Sequence, residues 1–160
     1  MTDSILNRLA ALGLALPAPL VLPSANRTAA VRIGDMLYLS GHGAALLEDG
    51  SVLRRGRLGR ELDVEQGYAV ARALALKMIA TLNHQLSGLN RVRRVVKITG
   101  LVNCVESFEQ HNLVVNGASD LFFELFGPQV GCHARSSIGV AGLVGNQPVE
   151  VEGIFHVGDA

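Results

Sequence analysis

The sequence predicts an α+β fold in which a mixed β-sheet carries two helices packed on one face. Three observations predict it. Two long stretches repeat apolar residues at helical spacing, through Ala71, Leu74, Ala75, Met78 and Leu82 and then through Val115, Ala118, Leu121, Phe122 and Leu125. Short runs with period-two alternation or β-branched residues precede, separate and follow them. The order is therefore strand, strand, helix, strand, helix, strand, strand, and because crossovers within one sheet are right-handed, both helices fall on the same side. At 160 residues with 49% hydrophobic content, the chain suffices for one core and is short for two, so residues 1–160 read as a single domain.

Residues 1–26 hold "ILNRLAALGLALPAPLVLPSA". Asp3 and Arg8 provide no basic leader, and three prolines interrupt the apolar run, so the segment reads as a short amphipathic helix and a proline-rich arm rather than a signal peptide. "AVRIGDMLYLSGHG" predicts a hairpin turning at Gly34-Asp35, where glycine supplies a positive φ. "SVLRRGRLG" predicts a weaker, exposed strand. Asp63 with Gln66 three residues on forms a capping box for the first long helix, which Gly88 stops. "RVRRVVKITGLVNCV" predicts a central strand, apolar on both faces. Ser107 with Gln110 repeats the capping device before the second helix, ended by Gly127-Pro128. Residues 134–142 and 149–157 close the chain as strands. Two helices cover only one side of such a sheet, so the open face is expected to pack on another copy of the chain.

Charge balances at 14 basic and 14 acidic residues, which argues against nucleic acid or an anionic membrane as partner. No run reaches the roughly 18 to 20 apolar residues of a spanning helix. Cys104 and Cys132 lack CxxC spacing, and the histidines lack metal-ligand spacing, so no disulfide framework or metal site is expected and a reducing cytoplasm fits. Cys104, on the central strand, reads as core. His42, His111 and His133 read as turn or surface residues, with His42 nearest a pocket.

Chemistry concentrates in the closing strands. Alternation in "HARSSIGVAG" places Arg135, Ser137, Gly139 and Ala141 on one face and Ser136, Ile138 and Val140 on the other. In "VEVEGIF", Glu150 and Glu152 share a face opposite Val149, Val151 and Phe155. If these charged faces meet at a subunit boundary, they line a cleft.

The stretches "YLSGHG", "GYAVARALAL", "VVKITGLVN", "NGASDLF", "HARSSIGVA" and "VEVEGIF", in this order, resemble the YjgF/RidA superfamily, in particular its longer, endoribonuclease L-PSP-like branch. The resemblance covers nearly the whole chain. It implies a chorismate-mutase-like fold, a homotrimer, a ligand cleft at each subunit interface, and neither metal nor organic cofactor. It implies further that Arg135 holds a substrate carboxylate, that Glu150 orients the hydrolytic water or moves its proton, and that Asn112, Ser40 and Gly41 line the cleft. The implied reaction is hydrolysis of a 2-imino acid to a 2-oxo acid and ammonia. A guanidinium suits the carboxylate because its planar fork donates paired bonds that an ammonium does not match.

Three positions depart from the family's pattern: Ser137 replaces a cysteine, His42 a glutamine, and Arg27 a tyrosine. Arg27 adds charge to the pocket and implies a different, more acidic ligand. Other readings stand beside these. Arg135 could form a structural ion pair with a neighbouring subunit, Glu150 could be a solvated edge carboxylate, and Asn112 could bond adjoining backbone. A trimer that binds a small carboxylate without turnover is one alternative function. An endoribonuclease is another, but "RRGR" and "RVRR" have few aromatic partners and read as solvated turns.

Overall fold

The computed structural model describes residues 4–22, 24–44 and 55–158. Helix α1 (Ser4–Ala11) buries Ile5 and Leu9, and its Arg8 donates to the Leu125 carbonyl at 2.9 Å. The arm that follows is pinned where the Leu20 N–H donates to Thr81 Oγ1 at 3.0 Å. Strands β1 (Ala30–Ile33) and β2 (Met36–Gly43) form the expected hairpin, with Gly34 at φ 57° in the turn.

Helix α2 (Val64–Leu86) starts at Asp63, whose carboxylate accepts from the Gln66 N–H at 2.8 Å while the Gln66 side chain accepts from the Asp63 N–H at 3.0 Å. The capping box is thus complete. Asp63→Ala is expected to lower the unfolding free energy by about 1 kcal/mol, read as an earlier midpoint in urea with an unchanged slope. The helix ends at Ser87 in the left-handed region, φ 54°, with Gly88 directly after.

Strand β3 (Val92–Asn103), helix α3 (His111–Gly131), strand β4 (Ala134–Val140) and strand β5 (Val149–Val157) complete the order. The sheet runs β1-β2-β5-β3-β4. β4 lies parallel to β3 at one edge, and the other neighbours are antiparallel. The architecture is a mixed α+β sheet with the two long helices on one side. Val95, Ile98, Val102, Val151 and Phe155 are buried with Leu74 and Met78 of α2 and Val115 and Phe122 of α3. Phe122 meets Phe155 at 5.8 Å between ring centroids. Where the helices touch, Gly117 lets α3 approach the backbone of α2 at Tyr68.

Several boundaries differ from expectation. Ser107 does not cap α3: residues 105–108 close a turn through Phe108 N–H to Val105 carbonyl at 3.1 Å, and the first helical bonds run to the Gln110 carbonyl. Gly127 (φ 76°, ψ 175°) breaks the helix as expected, but a further turn continues to Gly131. β4 ends at Val140 rather than residue 142. Of the strand expected over 51–59, residues 51–54 lie outside the described residues; beyond them Leu58 makes only isolated bridges, to Leu62 and Cys104. The central strand is apolar mainly on its helix side, since Lys97 and Thr99 occupy the other face with Leu101. That open face also carries Tyr38 (42% exposed) and Ile138 (46% exposed). Among the described residues, no helix is long and apolar enough to cross a membrane.

Candidate functional site

Arg135 sits in register beside Ile98, and Ser137 beside Gly100. Ile98 is wholly buried, and a side chain at Gly100 would run into Val115 of α3. The Arg135 face of β4 therefore looks toward the helices. Its Nη1 donates to Asn116 Oδ1 at 2.7 Å and to Ser119 Oγ at 3.0 Å, both on α3. Both bonds use one nitrogen, which leaves the Nε/Nη2 edge of the fork for a bidentate partner. No carboxylate pairs with Arg135 among the described residues. The side chain borders a hollow of about 350 Å³ lined with Ser119, Asp120, Phe123, Cys132 and His133.

Behind the guanidinium stands a fixed imidazole. His133 Nδ1 lies 2.6 Å from the Gly131 carbonyl, which only accepts, so Nδ1 carries the proton. Nε2 then accepts from the Ser119 hydroxyl at 3.0 Å, and Ser119 Oγ in turn accepts from Arg135. Burial holds the His133 pKa below its ordinary value against the Gly131 bond, and the Arg135 charge adds to the lowering. The neutral ring is what this chain of bonds requires. Asn116, Ser119 and His133 are absent from the sequence-based candidates. Asn116 and Ser119 are three apart and share a helix face, which is a sequence signal; their meeting with Arg135 depends on the pairing of β4 with β3.

A second group forms on the opposite face. Glu150 pairs in register with Leu101, and Glu152 with Thr99, both on the open side. Glu150 Oε2 accepts from Gln147 Nε2 at 3.0 Å. Its pKa is raised, first by burial and then by the Glu152 charge, against the Gln147 bond. Gly41 lies against it: a Cβ there would sit 2.2 Å from Glu150 Oε1. Ser40 Oγ donates to the Thr28 carbonyl at 2.6 Å, which brings the residue after Arg27 to the same place, and Arg27 itself is exposed.

The structure thus brings Ser40, Gly41 and Glu150 together, and Arg135 with Ser137, but places the two groups on opposite faces of the sheet. Within one protomer, Arg135 and Glu150 do not share a ligand. Asn112 is exposed on the first turn of α3 and bonds neither group among the described residues.

His42 requires correction as a pocket residue. A bulge between Leu39 and His42 turns its ring to the helix side, where it is 0% exposed. Nδ1 donates to the Ser40 carbonyl at 2.7 Å, and Nε2 accepts from the Thr81 hydroxyl at 2.9 Å. Burial, opposed by the Ser40 bond, lowers its pKa to about 4.

The basic clusters are partly turned inward. Arg91 donates to the Leu86 and Gly158 carbonyls, Arg94 to the Gln129 carbonyl, and Arg57 to the Cys104 carbonyl. Among the described residues, no three His, Cys, Asp or Glu side chains converge as a metal site would need.

The chain resembles known proteins over nearly its full length. Protein TCP17 of Trypanosoma cruzi is 40% identical over 146 residues, covering 91% of this chain and 89% of that protein. Among solved structures, the protein Atu1372 of Agrobacterium tumefaciens, of unknown function, is 34% identical with a TM-score of 0.85, covering 97% of this chain and 94% of that one. A structure from Shewanella oneidensis described as "a putative endoribonuclease" is 30% identical with a TM-score of 0.88, covering 97% and 100%. The family model described as "YjgF/chorismate_mutase-like, putative endoribonuclease" matches residues 6–146. The fold and these matches together place the chain in the YjgF/chorismate mutase-like family.

Proposed function

We propose that this protein binds a small 2-imino acid through Arg135 and hydrolyses it to the 2-oxo acid and ammonia, in clefts between the subunits of a homotrimer. The observation that carries the reading is an arginine fork held by two neutral partners, Asn116 and Ser119, at the rim of a hollow, with no acid neutralising it among the described residues. A guanidinium so placed is preorganised for a carboxylate.

An imine carbon is already electrophilic. Fixing the carboxylate, holding water beside the carbon and moving protons suffice, and the proton-transfer part contributes about 10²- to 10⁴-fold. Water adds its oxygen to the imine carbon, nitrogen takes up the protons, and ammonia leaves as the carbonyl forms. Glu150, with its raised pKa, suits the proton-moving role. Because it faces away from its own Arg135, we assign it, with Ser40 and Gly41, to the wall supplied by a neighbouring protomer. The open face with Tyr38 and Ile138 and the free edge of β4 are surfaces such a trimer would cover. Binding of a small carboxylate without turnover is the second reading, favoured by the same arginine. The endoribonuclease reading draws no support from arginines already bonded to backbone carbonyls.

The test is release of 2-oxo acid and ammonia from freshly generated 2-iminopropanoate. Wild type is expected to be active and Arg135→Ala reduced by about 10²-fold, the worth of two charge-assisted bonds of about 1.5 kcal/mol each. Mixed oligomers from co-expressed Arg135→Ala and Glu150→Gln chains should recover part of the activity, since some clefts then combine both intact walls. An inactive wild type that binds 2-oxo acids by calorimetry leaves only the binding reading, and an absence of both removes Arg135 as the anchor.

A further inference from the structure

We propose that Cys104 and His111 form a second, thiol-based site that captures small anionic carbon electrophiles in the hollow beside Arg57. It involves neither Arg135 nor Glu150 and stands apart from the imine-hydrolysis reading.

Cys104 lies just beyond the end of β3, at the margin of the core, with its Sγ 3.4 Å from His111 Nε2. That separation is a thiol–imidazole hydrogen bond, the arrangement in which a base can take the thiol proton as sulfur attacks. The ring of Phe108 meets His111 edge-on at 5.5 Å and 81°, fixing the imidazole plane. The pair is possible because residue 139 is glycine: a Cβ there would stand 2.4 Å from His111 Nε2 and 3.1 Å from Cys104 Sγ.

Cys104, His111, Arg57, Glu106 and Phe108 border a hollow of about 420 Å³. Arg57 places a permanent positive charge at this hollow. One of its terminal nitrogens donates to the Cys104 carbonyl, while its Nε is buried with no hydrogen-bond partner. That enclosed N–H is out of reach of a ligand, and what the hollow receives from Arg57 is its charge, which favours an anionic reagent over a neutral one. Nucleophile, base and positive charge thus converge, and the chemical class that uses all three is an electrophilic carbon attached to a carboxylate, such as an activated alkene. The sulfur lone pair forms a C–S bond at the β-carbon, and the alkene π pair moves to the α-carbon. The thiol proton passes to His111 Nε2 and from there to the α-carbon. No electrons are gained or lost overall.

The experiment uses the full chain with Cys132→Ser, so that Cys104 is the single thiol. Rates of alkylation by iodoacetate and iodoacetamide are followed by intact mass, with N-acetylcysteine amide as a neutral reference thiol. The iodoacetate-to-iodoacetamide rate ratio at Cys104 should exceed the reference ratio by about tenfold, the order of one nearby guanidinium charge in a solvated setting. Arg57→Gln should return the ratio to the reference, Arg57→Lys should retain most of it, and His111→Gln should slow both reagents. If His111→Gln does not fold, the charge ratio and the Arg57 pair still decide. Failure of Cys104 to react in the folded protein, a ratio equal to the reference, or a ratio indifferent to Arg57→Gln each overturns the proposal.

Discussion

Gly117→Ala is expected to destabilise the fold by about 3 kcal/mol, at the upper end of overpacking effects. A Cβ at this position would stand 2.0 Å from the Tyr68 carbonyl oxygen, 2.9 Å from its carbon and 3.0 Å from the Arg72 nitrogen. All three are backbone atoms of α2, so no side chain can rotate away and relief requires the helices to separate. Separation would open the contact around the buried Val114, Ala118 and Leu121. Alanine's better helix propensity, about 1 kcal/mol, works in the opposite direction and does not offset this. Urea unfolding measures the effect, with Gly142→Ala as the control because no atom lies within 4 Å of its added Cβ. A loss below about 1 kcal/mol at Gly117 would mean that the helices are not in contact there.

The second large effect concerns acid. His42 has its pKa lowered from 6.5 to about 4, so between those values the unfolded chain binds a proton that the folded chain refuses. Stability is therefore fully present above pH 6.5 and is lost as pH falls through the folded value, by roughly 3 kcal/mol at about 1.4 kcal/mol per pKa unit. Glu150 acts in the opposite sense: its raised pKa contributes stability in acid that disappears as pH rises through the folded value. Wild type and His42→Gln should be compared by urea unfolding at several pH values from 7.5 down to about 4. The variant starts lower at neutral pH, having lost a fitted imidazole, and its stability falls less steeply in acid. Parallel curves would show that His42 is not the group responsible.

His42 also marks where the sequence stops being legible and where it does not. The capping box at Asp63 and Gln66 is legible because both bonds lie within one helical turn, and the Gly34-Asp35 hairpin because two residues fix the turn. The Ser107–Gln110 pair has the same spacing, yet a preceding turn delays the helix to His111 and leaves the device unused. Simple alternation puts His42 on the face of Ser40. A bulge, invisible to a period-two reading, turns it inward.

The candidate site divides in the same way. Alternation correctly sorts Arg135 from Ser136 and Glu150 from Val151, because each sorting stays within one strand. Whether Arg135 and Glu150 share a face depends on the register of β4 and β5 against β3, which short-range periodicity does not contain. Their separation across the sheet means that an apparently local pair does not meet within one chain. The three histidines read as turn or surface residues take different structural roles: one seals the core, one leans on a thiol, and one braces a guanidinium through a serine.

The extra turn after Gly127 has an evolutionary consequence. The Gly131 carbonyl that orients His133 belongs to that turn rather than to the main body of α3. Altering its length by a residue would move His133 and, through Ser119, the setting of Arg135, and would also disturb the close packing of the buried Gly131 on the Phe122 carbonyl. Under the proposed function, ligand preference among descendants of this chain would drift through this hinge of the backbone, at some cost in packing, with Arg135, Asn116 and Ser119 all unchanged.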